Sequence, residues 1–189
     1  MAVVLKSSAK AFVRLLILLT FSMLLLMNMT TSTEAPSPTG LKTTNMVFYM
    51  HHLESGPNKS VVAVAGIEGQ RWTVLQFGTV YCGDAPLTRT PDLKSAQVGR
   101  ARGIYVTAGL DGSDLHTLMS LVFTNKQYNG STLEIQGANR RFQTYREVSV
   151  VSGTGRFRLA RGYAVLSTVS VDIPTLNAVI AWNVTVFHY

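Results

Sequence analysis

The chain of 189 residues carries 17 Lys and Arg against 10 Asp and Glu, with a single cysteine. That length fits one domain with a substantial core, and a lone thiol excludes an internal disulfide, so packing must hold the fold. Without Lys6, Lys10 and Arg14, which lie in a leader, the formal +7 falls to +4, an excess that suits a polyanionic wall matrix and is too small to indicate nucleic acid.

Those three basic residues precede LLILLTFSMLLLM (15–27), an uncharged run of about a dozen residues where a membrane span needs about 20. A secretory signal peptide is expected over residues 1–30, cleaved between 28 and 35. Residues 31–44 are rich in Thr, Ser and Pro and read as a flexible N-terminal arm ahead of a domain over 45–189. No later run is long enough to span a bilayer, so a soluble, secreted protein of the extracellular space is expected, with no membrane attachment once the signal is removed.

From Asn45 onward, short apolar segments alternate with turn chemistry. Strands are predicted near 45–53, 61–66, 71–83, 98–108, 116–124, 132–137, 146–151, 156–168 and 178–189. SGPNKS, GDAPLTRTPD, LDGSD, KQYNGS, SGTG and DIPTLN separate them. No segment of the mature region keeps helical spacing, which argues for an all-β sandwich or barrel. In 71–84 both strand faces are largely apolar, Trp72, Val74, Val80 and Cys82 on one and Leu75, Phe77 and Tyr81 on the other. The outside is therefore expected to be covered as well as the inside, as in a barrel packed into an oligomer. Cys82, with no histidine at ligand spacing, reads as a small buried residue.

Sequons occur at Asn28, Asn58, Asn129 and Asn183; Asn58 and Asn129 lie in turn-like sequence and are the expected glycosylation sites. A metal pair at His51–His52 would point its side chains to opposite faces of a strand, so no metal and no cofactor is expected. SGTG lacks the Lys-Ser/Thr of a phosphate loop and reads as a β-turn. Asp84, before Ala-Pro, suits either a turn or the rim of a pocket. Arg146 shares a strand face with Thr144, Val148 and Val150, where a guanidinium needs an ion pair or a ligand; Asp84 is a candidate partner.

FGTVYCGDAPLT, VGRARGIYV, LVFTNKQYNGSTLEIQGANR, YREVSVVSGTGRFRLARGYAV and a terminal VFHY follow one another in an order that resembles the plant dirigent protein family, over nearly the whole mature chain. The resemblance implies an eight-stranded antiparallel β-barrel similar to that of allene oxide cyclases, secreted to the apoplast and cell wall, glycosylated and assembled as a homotrimer, a homodimer being the alternative. It implies a protein without a redox centre that holds phenoxy radicals of monolignols such as coniferyl alcohol, made by a separate laccase or peroxidase, and guides their coupling to one lignan stereoisomer. Relatives that act on quinone methides, dehydrating an isoflavanol to a pterocarpan, supply the alternative; a wall defence or structural role is a third.

On the same resemblance, Asp84 is the first acid of a paired-Asp stretch whose second position here is Ala85. Arg146 matches a barrel-lining arginine and Tyr105 a pocket tyrosine. Arg146 and Tyr105 would orient phenolic oxygens while Asp84 steers a proton. Two departures concern the substrate site. His51-His52 stands where His-Asp is usual, and Gly137-Ala138-Asn139 where Gly-Ala-Asp is usual. An amide at Asn139 can hydrogen-bond a phenol but takes up no proton, whereas the imidazole of His52 can take one up.

Overall fold

The computed structural model describes residues 40–189; the signal peptide, its cleavage region, the arm as far as residue 39 and Asn28 lie outside the described residues. Nine strands follow: β1 Lys42–His52, β2 Val61–Ala65, β3 Val80–Thr88, β4 Gln97–Thr107, β5 Asp114–Phe123, β6 Thr132–Arg140, β7 Arg146–Gly153, β8 Arg161–Asp172 and β9 Asn177–His188. The only helical turn among the described residues is a 3-10 turn at Gly155–Phe157. Residues 42–44, expected in the arm, already belong to β1 and pair with β9 from Lys42↔His188 onward.

All pairings are antiparallel, in the order β1-β9-β8-β7-β6-β5-β4-β3-β2, and β1 also pairs with β3. β1 and β2 share one edge of β3: Val61 pairs with Gly83 and Met50 with Leu87. The circuit is thus closed by eight strands, with β2 flanking the seam. A closed circuit leaves few backbone groups at an exposed edge.

Two strand predictions shift. The strand expected at 71–83 is Val80–Thr88, and the one expected at 156–168 is Arg161–Asp172. Residues 73–79 turn instead, with Gln76 N–H donating to Thr73 C=O and Gly78 at φ +81°. Gly83-Asp84-Ala85-Pro86, which resembles a strand stop, lies inside β3. Pro86 has no N–H to donate, and it falls between the last β2 partner at Gly83 and the first β1 partner at Leu87. At that gap in the edge a proline leaves no ladder bond unmade.

One end of the barrel is packed shut. Phe48 stacks on Trp182 with centroids 6.3 Å apart and meets Phe123 edge-on at 6.2 Å, while Phe123 contacts Phe157 at 5.7 Å. Leu87, Leu121, Leu133, Val184 and Val186 are fully buried around them. At the other end the inward positions of β3 and β4 are small, Gly83 opposite Gly103 and Ala85 opposite Ala101. Gly103, at φ +154°, cannot take a side chain: a Cβ there would lie 2.3 Å from the Leu118 carbonyl oxygen. Small paired residues on two adjacent strands keep that half of the barrel empty.

Outward, Val62, Cys82, Ile104 and Leu118 form one cross-strand row and all four are exposed. Cys82 is therefore not the small buried residue its sequence context suggested: strand alternation turns it out while Tyr81 and Gly83 turn in. Asn58 and Asn129 are exposed in turns, and Asn183 is exposed on the outer face of β9.

Candidate functional site

The empty half of the barrel is a cavity of about 850 Å³, within the range that drug-sized ligands occupy. Its walls are mostly apolar: Met50, Ala85, Ala101, Val148, Leu166 and Ile180, with Trp182 at the boundary with the packed end. Polar side chains enter at defined points, and four of the five residues predicted for catalysis or substrate binding are among them: His52, Tyr105, Asn139 and Arg146.

Asp84 is not. Tyr81, Ala85 and Leu87 are buried while Cys82 and Asp84 are exposed, as alternation in a continuous strand requires. The Asp84 carboxylate accepts hydrogen bonds from Arg100 Nε and, at 3.1 Å, from Arg102 Nε, on strand neighbours facing outward. Its slight burial works against ionisation, but those hydrogen bonds outweigh it and hold the carboxyl below the usual range. The Asp84–Arg146 pair anticipated from sequence does not form, because the two side chains lie on opposite sides of the barrel wall.

Arg146, at the start of β7, is 5% exposed and has no carboxylate partner. Its Nη2 donates to Thr168 Oγ1 at 3.1 Å, and its Nε is buried without a protein partner. Burial alone lowers its pKa. A buried cation with donors to spare at a cavity wall is equipped to hold an electron-rich ligand oxygen. Asn139 Oδ1 is likewise buried and unpartnered. β6 runs on to Arg140 rather than ending near 137, which is what carries Asn139 into the wall.

A second polar group contains two residues that strand periodicity does not reveal. His52, the last residue of β1, places Nε2 2.9 Å from Glu54 Oε1 and 3.5 Å from the Tyr105 hydroxyl. The shorter contact assigns the proton: Nε2–H donates to the Glu54 carboxylate. Tyr105 stacks on Tyr81 with centroids 4.9 Å apart. Burial, reinforced by Glu54 and Tyr81, pushes the Tyr105 phenol far above its ordinary range, so it stays a neutral hydrogen-bonding group. Burial and Glu54 likewise push Tyr81 up to about 12. Arg141 also lines the cavity; its Nη2 reaches Thr107 Oγ1 at 3.5 Å, its Nε is buried and unpartnered, and burial lowers its pKa against the pull of Tyr105, Tyr81 and Glu54. Glu54 follows β1 and Arg141 follows β6, just beyond the strand ends. The signal available for Glu54 is its spacing of two from His52.

His51 turns the other way: it is buried, and its Nε2 lies 2.7 Å from Thr88 Oγ1. The adjacent histidines thus have separate partners, one joining β1 to the end of β3 and one facing the ligand space.

These features define a class: a closed antiparallel β-barrel, packed at one end and open at the other into an apolar cavity with a few buried hydrogen-bonding groups. A family model described as dirigent-like protein matches residues 43–187. Pterocarpan synthase 1 of Glycyrrhiza echinata is 40% identical over 87% of this chain and 92% of its own length. Dirigent protein 1 of Arabidopsis thaliana is 36% identical over 95% of this chain and 100% of its own. The solved structure of the pterocarpan synthase dirigent protein GePTS1 superposes with a TM-score of 0.75 at 40% identity, covering 79% of this chain and 86% of that one. The chain belongs to the dirigent family.

Proposed function

We propose that the cavity binds a phenolic substrate and directs closure of a quinone methide, in the manner of the pterocarpan synthases it resembles. The observation that carries this reading is the Glu54–His52–Tyr105 set at the wall of a cavity that also presents Arg146. A phenol held at Arg146 gives its proton to solvent, and the phenolate expels a benzylic hydroxyl. The C–O bond breaks with its electron pair on oxygen, the imidazolium of His52 supplies a proton, and water leaves. A second phenolic hydroxyl of the substrate then attacks the methide carbon from the face the cavity leaves open. Its proton passes to His52, and the oxygen at Arg146 regains one from solvent, so the net change is loss of one water.

A second reading is stereoselective coupling of phenoxy radicals, such as those of coniferyl alcohol, supplied by an external laccase or peroxidase. The cavity volume favours it, since the space exceeds what one aromatic ring fills. Here the barrel contributes orientation alone, and a tenfold enantiomeric preference requires only about 1.4 kcal/mol. Secretion to the apoplast, glycans at Asn58 and Asn129, and homotrimers joined through the Val62–Cys82–Ile104–Leu118 row belong to the same proposal.

Chiral product analysis separates the readings. Turnover of a 4-hydroxyisoflavan without oxidant, abolished in His52→Asn, is the expected result. Enantiomeric excess from coniferyl alcohol that depends strictly on added laccase replaces it with the coupling role. Neither activity, in protein shown to be folded, leaves a wall protein without small-molecule chemistry.

A further inference from the structure

Around the cavity mouth the usual arrangement of side chains is inverted. The charged groups of the lining, Glu54, Arg141 and Arg146, are half-buried or buried, whereas none of its exposed residues carries a charge. Three connections and the end of β8 supply instead a collar of large apolar side chains: Leu75 before β3, Phe142 and Tyr145 between β6 and β7, Val171 at the end of β8, and Ile173 and Leu176 in the turn from β8 to β9. Phe142 and Tyr145 are each 71% exposed and Ile173 is 69% exposed. Leu176 also holds a positive φ of 57°, a conformation that costs a leucine and that glycine or asparagine would take readily. It is the exposed apolar collar, continuous with the cavity, that points to a ligand covering it.

We infer that this ligand is a phenolic of several aromatic units, whose terminal ring enters the barrel while the units behind it lie on the collar. The inference rests on the phenolic reading of the cavity and adds the size of the substrate. Continuity carries it: the collar residues line the same cavity as Arg146 and Asn139, so one apolar surface runs from the buried anchors out past the mouth. A ligand confined to the interior leaves that surface in water. Aromatic units along a chain match Phe142 and Tyr145, which offer faces for stacking. A docked protein is the poorer match, because protein interfaces carry a polar, often charged rim around an apolar centre, whereas here six of the nine exposed lining residues are apolar and only the uncharged Gln143, Thr144 and Thr168 lie among them.

The test is calorimetric titration of the secreted protein with two probes, coniferyl alcohol and a synthetic trimeric lignol ending in a free guaiacyl phenol. Wild type is expected to bind the trimer at least about tenfold more tightly, a difference of about 1.4 kcal/mol. Phe142→Ser and Ile173→Ser, both at exposed positions that the fold does not need, should each weaken the trimer by roughly tenfold and leave coniferyl alcohol within about twofold. Equal affinity for the two probes, or variants that weaken both alike, overturns the extended-ligand inference and leaves the cavity reading intact. Failure of wild type to bind either probe overturns the extended-ligand inference, and failure to bind a 4-hydroxyisoflavan in the same titration overturns the phenolic reading as well.

Discussion

At the scale of single residues, Arg146 and Asp84 exchange the weight that sequence position gives them. Asp84 is half exposed and shared by two arginines outside the barrel, an arrangement worth under about 1 kcal/mol. Arg146 is buried without a counter-charge, which is a cost in the empty protein and an asset once a ligand oxygen arrives. Arg146→Met should therefore leave thermal stability unchanged or raise it by about 1 kcal/mol, by analogy with buried charges replaced by apolar groups of similar volume. Product selectivity should be lost in the same variant. Asp84→Asn should keep selectivity, as its carboxylate does not reach the cavity. Thermal melts beside chiral chromatography check both; an Arg146→Met variant destabilised by more than about 2 kcal/mol would assign that residue to the frame instead of the site.

At the scale of elements, the barrel closes where β1 meets the end of β3, and His51 to Thr88 is the bond between two side chains across that junction. Burial lowers the pKa of His51, against an opposing pull from Asp92. Its folded pKa lies below the unfolded value of about 6.5, so its contribution is full above that pH and is lost progressively as pH falls below it. Melting temperature measured from pH 8 to pH 5 should decline for wild type and fall less steeply for His51→Gln, which keeps a hydrogen-bonding side chain but has no proton to gain. Parallel curves would exclude His51 as the titrating group. The strands themselves were legible, since every gap except Arg141–Tyr145 between β6 and β7 carries Gly, Pro, Asn or Asp between apolar runs. Their ends were not: Gly83 to Pro86 has the composition of a turn, and only the shared edge of β3 explains why it is a strand. The site divides in the same way. His52, Tyr105, Asn139 and Arg146 converge on one cavity, while Glu54 and Arg141 lie past strand ends, where a period of two carries no information about direction.

At the scale of the whole molecule, an apolar outer face bears on assembly. Val62, Ile104 and Leu118 are each more than 40% exposed in the single barrel, in one row with Cys82. The neighbouring row, Asp84, Arg102, Ser120 and Glu134, is polar, and Ser120 hydrogen-bonds Glu134 across it. An apolar row beside a polar one gives a second copy both a surface to bury and a register to follow. Covering each such side chain is worth roughly 1 kcal/mol, repeated in every copy. Ile104→Asp places a carboxylate in the middle of that row without touching the cavity. Light scattering at micromolar concentration should find oligomeric wild type and a monomeric variant with an unchanged far-ultraviolet spectrum. If wild type is itself monomeric, this face does not join copies of the chain; if the variant stays oligomeric, the copies meet elsewhere on the barrel.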